Sequence, residues 1–314
     1  MQRPLRIGTR TSRLSLAQTQ SVVSLLQTAH GLDTRDIEVV PIKTRGDKIT
    51  DRKLADIGGK GLFTAEMEQR LRDKTLDIAV HSMKDVTVDL PDGLIIAALL
   101  SRADPRDALV SNHPPSKDGK TGLAALPPNA HIGTASVRRT AQIKHLRPDI
   151  STGLLRGNID TRLKRLEEGA RDGTMDATIL ALAGLERIDR TDCISAILEP
   201  DEMLPAPAQG VIGIECRADD TAIHDLLTPL HDSSTAFCVV AERAFLGALD
   251  GSCHTPIGAL ATLSGTRLRL RGQLLSLDGS RCETIDITGH PDEAETMGCN
   301  GAETVRQRMT THNE

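Results

Sequence analysis

Short apolar runs and helical periods alternate through the first two hundred residues. "LRIGTR" (5–10) reads as a strand, after which Leu14, Ala17, Val22, Leu25, Leu26 and Ala29 share one face of a helix. "IEVVPIKT" is strand-like, Phe63, Met67 and Leu71 recur every fourth residue as on a helix, and "DIAVHSM" and "LIIAALL" read as buried strands. Strands alternating with helices predict a largely parallel sheet covered by helices. After "SRADPRDALVS" the pattern restarts. "HIGTAS" reads as strand, "VRRTAQIKHL" as helix and "GLLRG" as strand; Ile159, Leu163 and Leu166 mark a helix, and "ATILALAGL" a buried strand. Two similar α/β halves are the simplest reading, with "ADPRD" (103–107) as the crossover. "LPAPAQGVIGIEC" (204–216) reads as a strand running back into the first half.

The last third changes character. Phe237, Ala241, Ala244 and Ala248 lie on one helical face, with Gly251 just beyond its end. "RLRLRG" alternates strictly, sending Leu268 and Leu270 inward and Arg267, Arg269 and Arg271 outward, as in a half-buried antiparallel strand. A small α+β domain is expected here.

A length of 314 residues suits two or three domains at roughly 150 residues each. With three Phe and no Trp or Tyr, the chain lacks the aromatic platforms on which bases stack. A net charge of -5 gives no field attractive to nucleic acid or to an anionic membrane surface, so neither partner is expected. Of 38 basic residues 28 are Arg, the side chain suited to a two-point grip on carboxylate or phosphate. The start, "MQRPLRIGTR", has no apolar h-region, and no run approaches 18 apolar residues, so a cytoplasmic protein is expected.

The six cysteines are spread out, with no C-x-x-C, which argues against a zinc ribbon or a redox pair; no metal centre is expected. Cys253 stands on a polar turn, "LDGSCHTPIGAL". There a metal ligand and a disulfide partner are disfavoured, while a nucleophile and a point of covalent attachment both stay open.

Three strand-to-helix junctions share a composition. "GTRTSRLS", "GTASVRR" and "LRGNIDTR" combine Gly, hydroxyl or amide side chains and Arg where a helix begins. Helix caps alone would explain the Ser, Thr and Asn. Free N–H groups, the positive end of the helix dipole and a nearby Arg together make an anion site. In "HSMKDVTVDLP", Lys84 and Asp85 follow a buried strand directly, at the carboxyl end where open α/β sheets bind ligands; a solvated ion pair is the plain alternative. His81 and Ser82 make a weak hydrolase pair, having no G-x-S-x-G elbow and no assigned base.

The stretches "TRTSRLSLAQ", "KTRGD", "GGKGLF", "DIAVHSMKDV", "DPRDALVS", "GTASVRR", "LRGNIDTRL", "LPAPAQG", "GIECR" and "GSCHTPIG", in this order over nearly the whole chain, closely resemble the porphobilinogen deaminase family. The resemblance implies two periplasmic-binding-protein-like α/β domains with a cleft between them and a small α+β C-terminal domain: residues 1–103 with 203–221, 104–202, and 222–314. It implies a monomeric enzyme joining four porphobilinogen molecules into hydroxymethylbilane on a covalent dipyrromethane primer. By the same resemblance the thioether to that primer falls on Cys253, catalysis on Asp85 with Lys84 beside it, and cofactor and substrate binding on Arg10, Ser12, Lys84, Thr134, Ser136, Arg138, Arg139, Arg156 and Arg162. Thr87 and Ser252 depart from the family's usual Pro and Gly. The rival reading is a two-lobed anion-binding module that catalyses nothing.

Overall fold

The structure, a computed structural model, describes residues 3–48, 61–114, 118–251 and 255–311. Two compact units emerge. Of the described residues, one takes those up to Ala103 and again from Gly210 to Ala236; the other holds those from Asp104 to Gln209 and from Phe237 onward.

The first unit is a five-stranded sheet in the order β2-β1-β3-β10-β4, from β1 (Leu5–Arg10), β2 (Ile37–Ile42), β3 (Ile78–Ser82), β4 (Leu94–Leu99) and β10 (Ile212–Arg217). Strands β1, β2 and β3 are parallel, whereas β10 is antiparallel to both of its neighbours. Helix α1 (Arg13–His30) packs Val22, Val23 and Leu26 against Leu5, Ile7, Ile78 and Val80 on one face. Helix α2 (Ala65–Arg72) sets Met67 and Leu71 against Leu76, Ala79 and Leu94 on the other.

The second unit contains a sheet of the same layout, β7-β6-β8-β5-β9, from β5 (Asp107–Ser111), β6 (His131–Gly133), β7 (Ser151–Gly153), β8 (Ala177–Ala181) and β9 (Ala196–Leu198). Here β5 is the antiparallel insert. Helix α3 (Val137–Leu146) buries Ile143 beside Ile132 and Ile179, and α4 (Ile159–Asp172) buries Leu163 and Leu166 beside Ala108 and Leu180. In the first unit α5 (Thr221–Leu227) places Leu227 in the first sheet's core. A three-stranded antiparallel sheet, β11 (Ile257–Ser264), β12 (Arg267–Leu275) and β13 (Cys282–Gly289), belongs to the second unit. It is covered by α6 (Ser233–Ala248) and α7 (Ala294–Thr311), with Phe245, Leu268, Leu270 and Val305 at its core.

Several expectations need correction. The largely parallel direction holds for four strands of each sheet, but each also receives one reversed strand, β10 or β5, a direction that short runs such as "DALVS" did not reveal. The buried face of α1 is Ser15, Gln18, Thr19, Val22, Val23 and Leu26, while Leu25 and Ala29 are exposed. Spacing alone selected the wrong edge of that helix, since its first two turns bury the polar side chains of Ser15, Gln18 and Thr19: the Thr19 hydroxyl donates to the Ser15 carbonyl, as does that of Thr9 on β1. Phe63 precedes α2 and turns instead toward Arg10. The strand expected at "GLLRG" ends at Gly153, and "LPAPAQG" is a non-strand lead into β10.

Candidate functional site

In the first unit β1 and β3 are parallel neighbours, so Arg10, at the end of β1, and the turn Met83–Asp85, just past β3, leave the sheet at the same edge. Arg10 Nη1 lies 3.7 Å from Asp85 Oδ2. The Arg10 guanidinium also sits 4.2 Å above the Phe63 ring and is bound through Nε and Nη2 to Asp47. Asp47 accepts from the Thr44 backbone and hydroxyl as well. Burial opposes its charge, but these donors outweigh it and hold the carboxyl below its ordinary range. Ser12 is the N-cap of α1, accepting from Ser15 N at 3.1 Å. Lys84 and Asp85 are exposed. Thr87, where the resemblance leads one to expect proline, donates its hydroxyl to the Asp89 carbonyl at 2.7 Å, which braces the turn in another way.

In the second unit the junction at α3 is built inward. Ser136 caps the helix by accepting from Arg139 N, and Thr134 Oγ1 accepts from Ser136 N at 3.2 Å. Arg138 and Arg139, each 5% exposed, converge on the fully buried Asp107: Arg138 Nη2 at 2.9 Å, and Arg139 Nη2 at 2.7 Å and Nε at 3.3 Å. Arg138 also donates to the Leu204 carbonyl and Arg139 to that of Ile179. Burial pushes the Asp107 carboxyl up, yet the two guanidiniums, with Gln209 donating at 2.9 Å, pull it far below the ordinary range. Two cations sharing one anion leave a buried excess of one positive charge, which a further anionic group would offset. That charge balance fits a carboxylate-bearing cofactor.

The neighbouring junction places Asn158 as the N-cap of α4, preceded by Gly157 at φ 118°, a conformation that only glycine adopts without strain. Arg156 is buried, and Arg162 donates through Nε to the Gly157 carbonyl at 2.9 Å. The structure thus gathers Arg10, Ser12, Lys84 and Asp85 at one edge of the first sheet, and Thr134, Ser136, Arg138 and Arg139 at one helix start of the second unit. Cys253 and Ser252 lie outside the described residues.

Sequence reasoning missed the carboxylates that pre-form the site, Asp47 and Asp107, along with Gln209 and Phe63. A charged residue opening the apolar run "DALVS" was the available signal for Asp107. The weak hydrolase pair is not brought together: His81 faces Glu215, and Ser82 bonds Gln18 on the opposite face of β3.

Among solved structures, the chain is similar to the VFT2 domain of Bordetella pertussis BvgS, at 14% identity over 71% of this chain and 84% of that one, with a TM-score of 0.40. It is also similar to the periplasmic aliphatic sulphonate binding protein SsuA from Escherichia coli, at 12% identity over 79% and 70% of the two chains, again with a TM-score of 0.40. Residues 5–225 match the family model "Porphobilinogen deaminase, dipyromethane cofactor binding domain", and residues 236–307 match "Porphobilinogen deaminase, C-terminal domain". The porphobilinogen deaminase of Paracoccus denitrificans is 48% identical over 307 residues, which is 98% of this chain and 95% of that protein. With both family models matched in order and nearly half the residues shared end to end with a curated relative, the chain belongs to the porphobilinogen deaminase family.

Proposed function

We propose that Asp85, flanked by Arg10 and Lys84, is the catalytic carboxylate, and that Arg138, Arg139, Arg156 and Arg162, with Ser12, Thr134 and Ser136, bind substrate and cofactor carboxylates. The chain is a transferase that joins four porphobilinogen molecules head to tail, releasing ammonia at each step, and yields hydroxymethylbilane. The observation that carries the site reading is the exposed Asp85 at the carboxyl end of β3 with Arg10 3.7 Å away.

When bound, the dipyrromethane supplies the pyrrole carbon to which the first substrate ring is joined. Each porphobilinogen carries an acetate and a propionate, which accounts for receptors rich in Arg. Loss of ammonia from the incoming ring leaves positive charge spread onto its pyrrole nitrogen, and a fixed carboxylate aimed at that N–H stabilises the charge as it develops. Asp85 suits that task. It also suits proton transfer, giving a proton to the departing amine and recovering one from the attacking pyrrole carbon once the new bond has formed.

Cys253 is proposed as the thioether anchor. The experiment is intact mass. The active protein exceeds its sequence mass by two porphobilinogen units less two ammonias, the excess maps to the peptide containing Cys253, and added substrate produces one-ring increments. An unmodified Cys253 in active protein overturns the anchor.

We also propose three functional domains: residues 1–103 with 203–221, 104–202, and 222–314. The separate core around Phe245 supports the third, although Leu227 in the first sheet's core moves its start toward Ser233. A monomer acting in the cytoplasm is proposed as well. Five described cysteines are free thiols, as suits a reducing compartment. No described helix is long and apolar enough to cross a membrane.

A further inference from the structure

Behind the strand that delivers Lys84 and Asp85 lies a buried polar group with no part in the chemistry above. His81 on β3 is 5% exposed, and its Nε2 lies 2.8 Å from Oε2 of Glu215 on β10. With Glu215 ionised its oxygens only accept, and His81 is then the donor through Nε2. Glu215 is itself buried, and its second oxygen has no hydrogen-bond partner among the described residues. Glu68 of α2 feels both groups: burial foremost raises its carboxyl and Glu215 adds repulsion, while Thr64, His81 and Arg72 pull it down.

Such an arrangement is costly. Buried ionisable groups lose hydration that their attraction recovers poorly, and apolar residues of the same volume commonly serve stability as well or better. The backbone around His81 points to another use. Strand β3 meets β10 with His81 opposite Gly213 and Ser82 opposite Ile212. Met83 N then donates to the Val211 carbonyl at 3.0 Å, and the chain turns through Met83–Asp85, closed by Val86 N to the Met83 carbonyl at 3.2 Å. Each residue before Lys84 has its side chain fixed. Ser82 is tied to Gln18 of α1 at 2.8 Å and 3.1 Å. Met83, 1% exposed, lies on Gly213, where an added Cβ would stand 2.1 Å from its sulfur. His81 is held on the α2 side by Glu215.

We propose that His81 is a positioning residue for Asp85: its hydrogen bond to Glu215 pins the end of β3 against β10, so that the turn carrying Asp85 leaves the sheet at a fixed point. The proposal rests on the reading of Asp85 as the catalytic carboxylate. A carboxylate that acts only as charge develops loses its effect when displaced, and a displacement near 1 Å costs up to about a hundredfold in rate.

The test is a double-mutant cycle on the full-length holoenzyme, with cofactor loading checked by intact mass in every variant. His81→Ala lowers kcat by roughly tenfold to a hundredfold with KM nearly unchanged. His81→Gln, whose amide can still reach Glu215 with a donor, restores most of it. In an Asp85→Asn background, His81→Ala has no further effect, because the residue it positions is already disabled. Three results overturn the proposal: wild-type kcat in His81→Ala, equal loss in His81→Gln, or the same fold loss in the Asp85→Asn background. If His81→Ala does not fold, His81→Asn, polar but too short for Glu215, takes its place with the same outcomes. Near-normal turnover of Asp85→Asn alone removes the Asp85 reading itself, a different failure from any of the three.

Discussion

Arg10 and Asp85 stand 3.7 Å apart at the carboxyl edge of two parallel strands, and Arg10 is at the same time bound to Asp47. Arg10 is therefore already partly neutralised when it meets Asp85. It steadies the carboxylate without claiming its full charge, and the exposed Asp85 remains able to face a substrate N–H.

Asp85→Asn keeps the shape and removes the charge. If the carboxylate stabilises a developing cation, kcat falls by at least about 10² to 10³ while the protein folds normally. Steady-state kinetics with circular dichroism decides it, and a folded variant of near-normal activity defeats the assignment.

Arg138, Arg139 and Arg156 are expected to behave unlike Arg267 and Arg269. Leu at one of the first three removes a charge-assisted contact, costing roughly 1.5 to 3 kcal/mol in binding. For Arg138 or Arg139 it also leaves Asp107 with a single guanidinium. Arg269 pairs with Asp286 at the surface, each about half exposed, where ion pairs contribute little. Equal effects on KM and cofactor loading in both groups would show that the helix junctions select nothing.

Much of this was legible in the chain. Strands β1, β2, β3, β4, β6, β8 and β10, the helix starts at Ser12, Ser136 and Asn158, and the alternation of Leu268 and Leu270 all follow from local pattern, whereas β5 and β9 do not. What stayed hidden is non-local. Asp107 reaches Arg138 across 31 residues and Asp47 reaches Arg10 across 37, pairings that no periodicity encodes. The polar first two turns of α1 escaped for a related reason, since hydrophobic spacing cannot anticipate Gln18 buried to bond Ser82.

Cys253→Ala is expected to abolish activity and to lower the melting temperature by more than a small side chain explains, because a group bound only by the native state adds stability. Without its carboxylates the excess charge at Arg138 and Arg139 is uncompensated, and because both guanidiniums are buried, salt screens it little and the loss persists at high ionic strength. Thermal unfolding of wild type and variant at low and high ionic strength checks both statements. A variant that melts like wild type at both would retain the anchor role but refute cofactor stabilisation.

Asp77 offers a pH test remote from the chemistry. Burial disfavours its charge, but Arg6 and Arg3 bond it and hold the carboxyl down at about 2. A carboxyl depressed on folding stabilises above its unfolded pKa of about 3.9, and that contribution is lost as pH falls toward the folded value. Asp77→Asn therefore costs on the order of 2 kcal/mol at neutral pH, and the gap to wild type closes between about pH 4 and pH 2. Urea unfolding across that range measures it; a gap independent of pH contradicts it.

The placement of β10 between β3 and β4 bears on how the protein is made. Those two strands are joined only through β10, so the first sheet stays split while the ribosome moves from Leu99 to Ile212. At ordinary elongation speeds that interval is on the order of ten seconds. The second sheet, contiguous from Asp107 to Leu198, can close within it. Nascent chains stalled with Leu198 outside the ribosomal exit tunnel and Ile212 still within it should carry a protease-resistant second sheet behind an unfinished first one with two exposed strand edges, the stage at which a holding chaperone has most to protect.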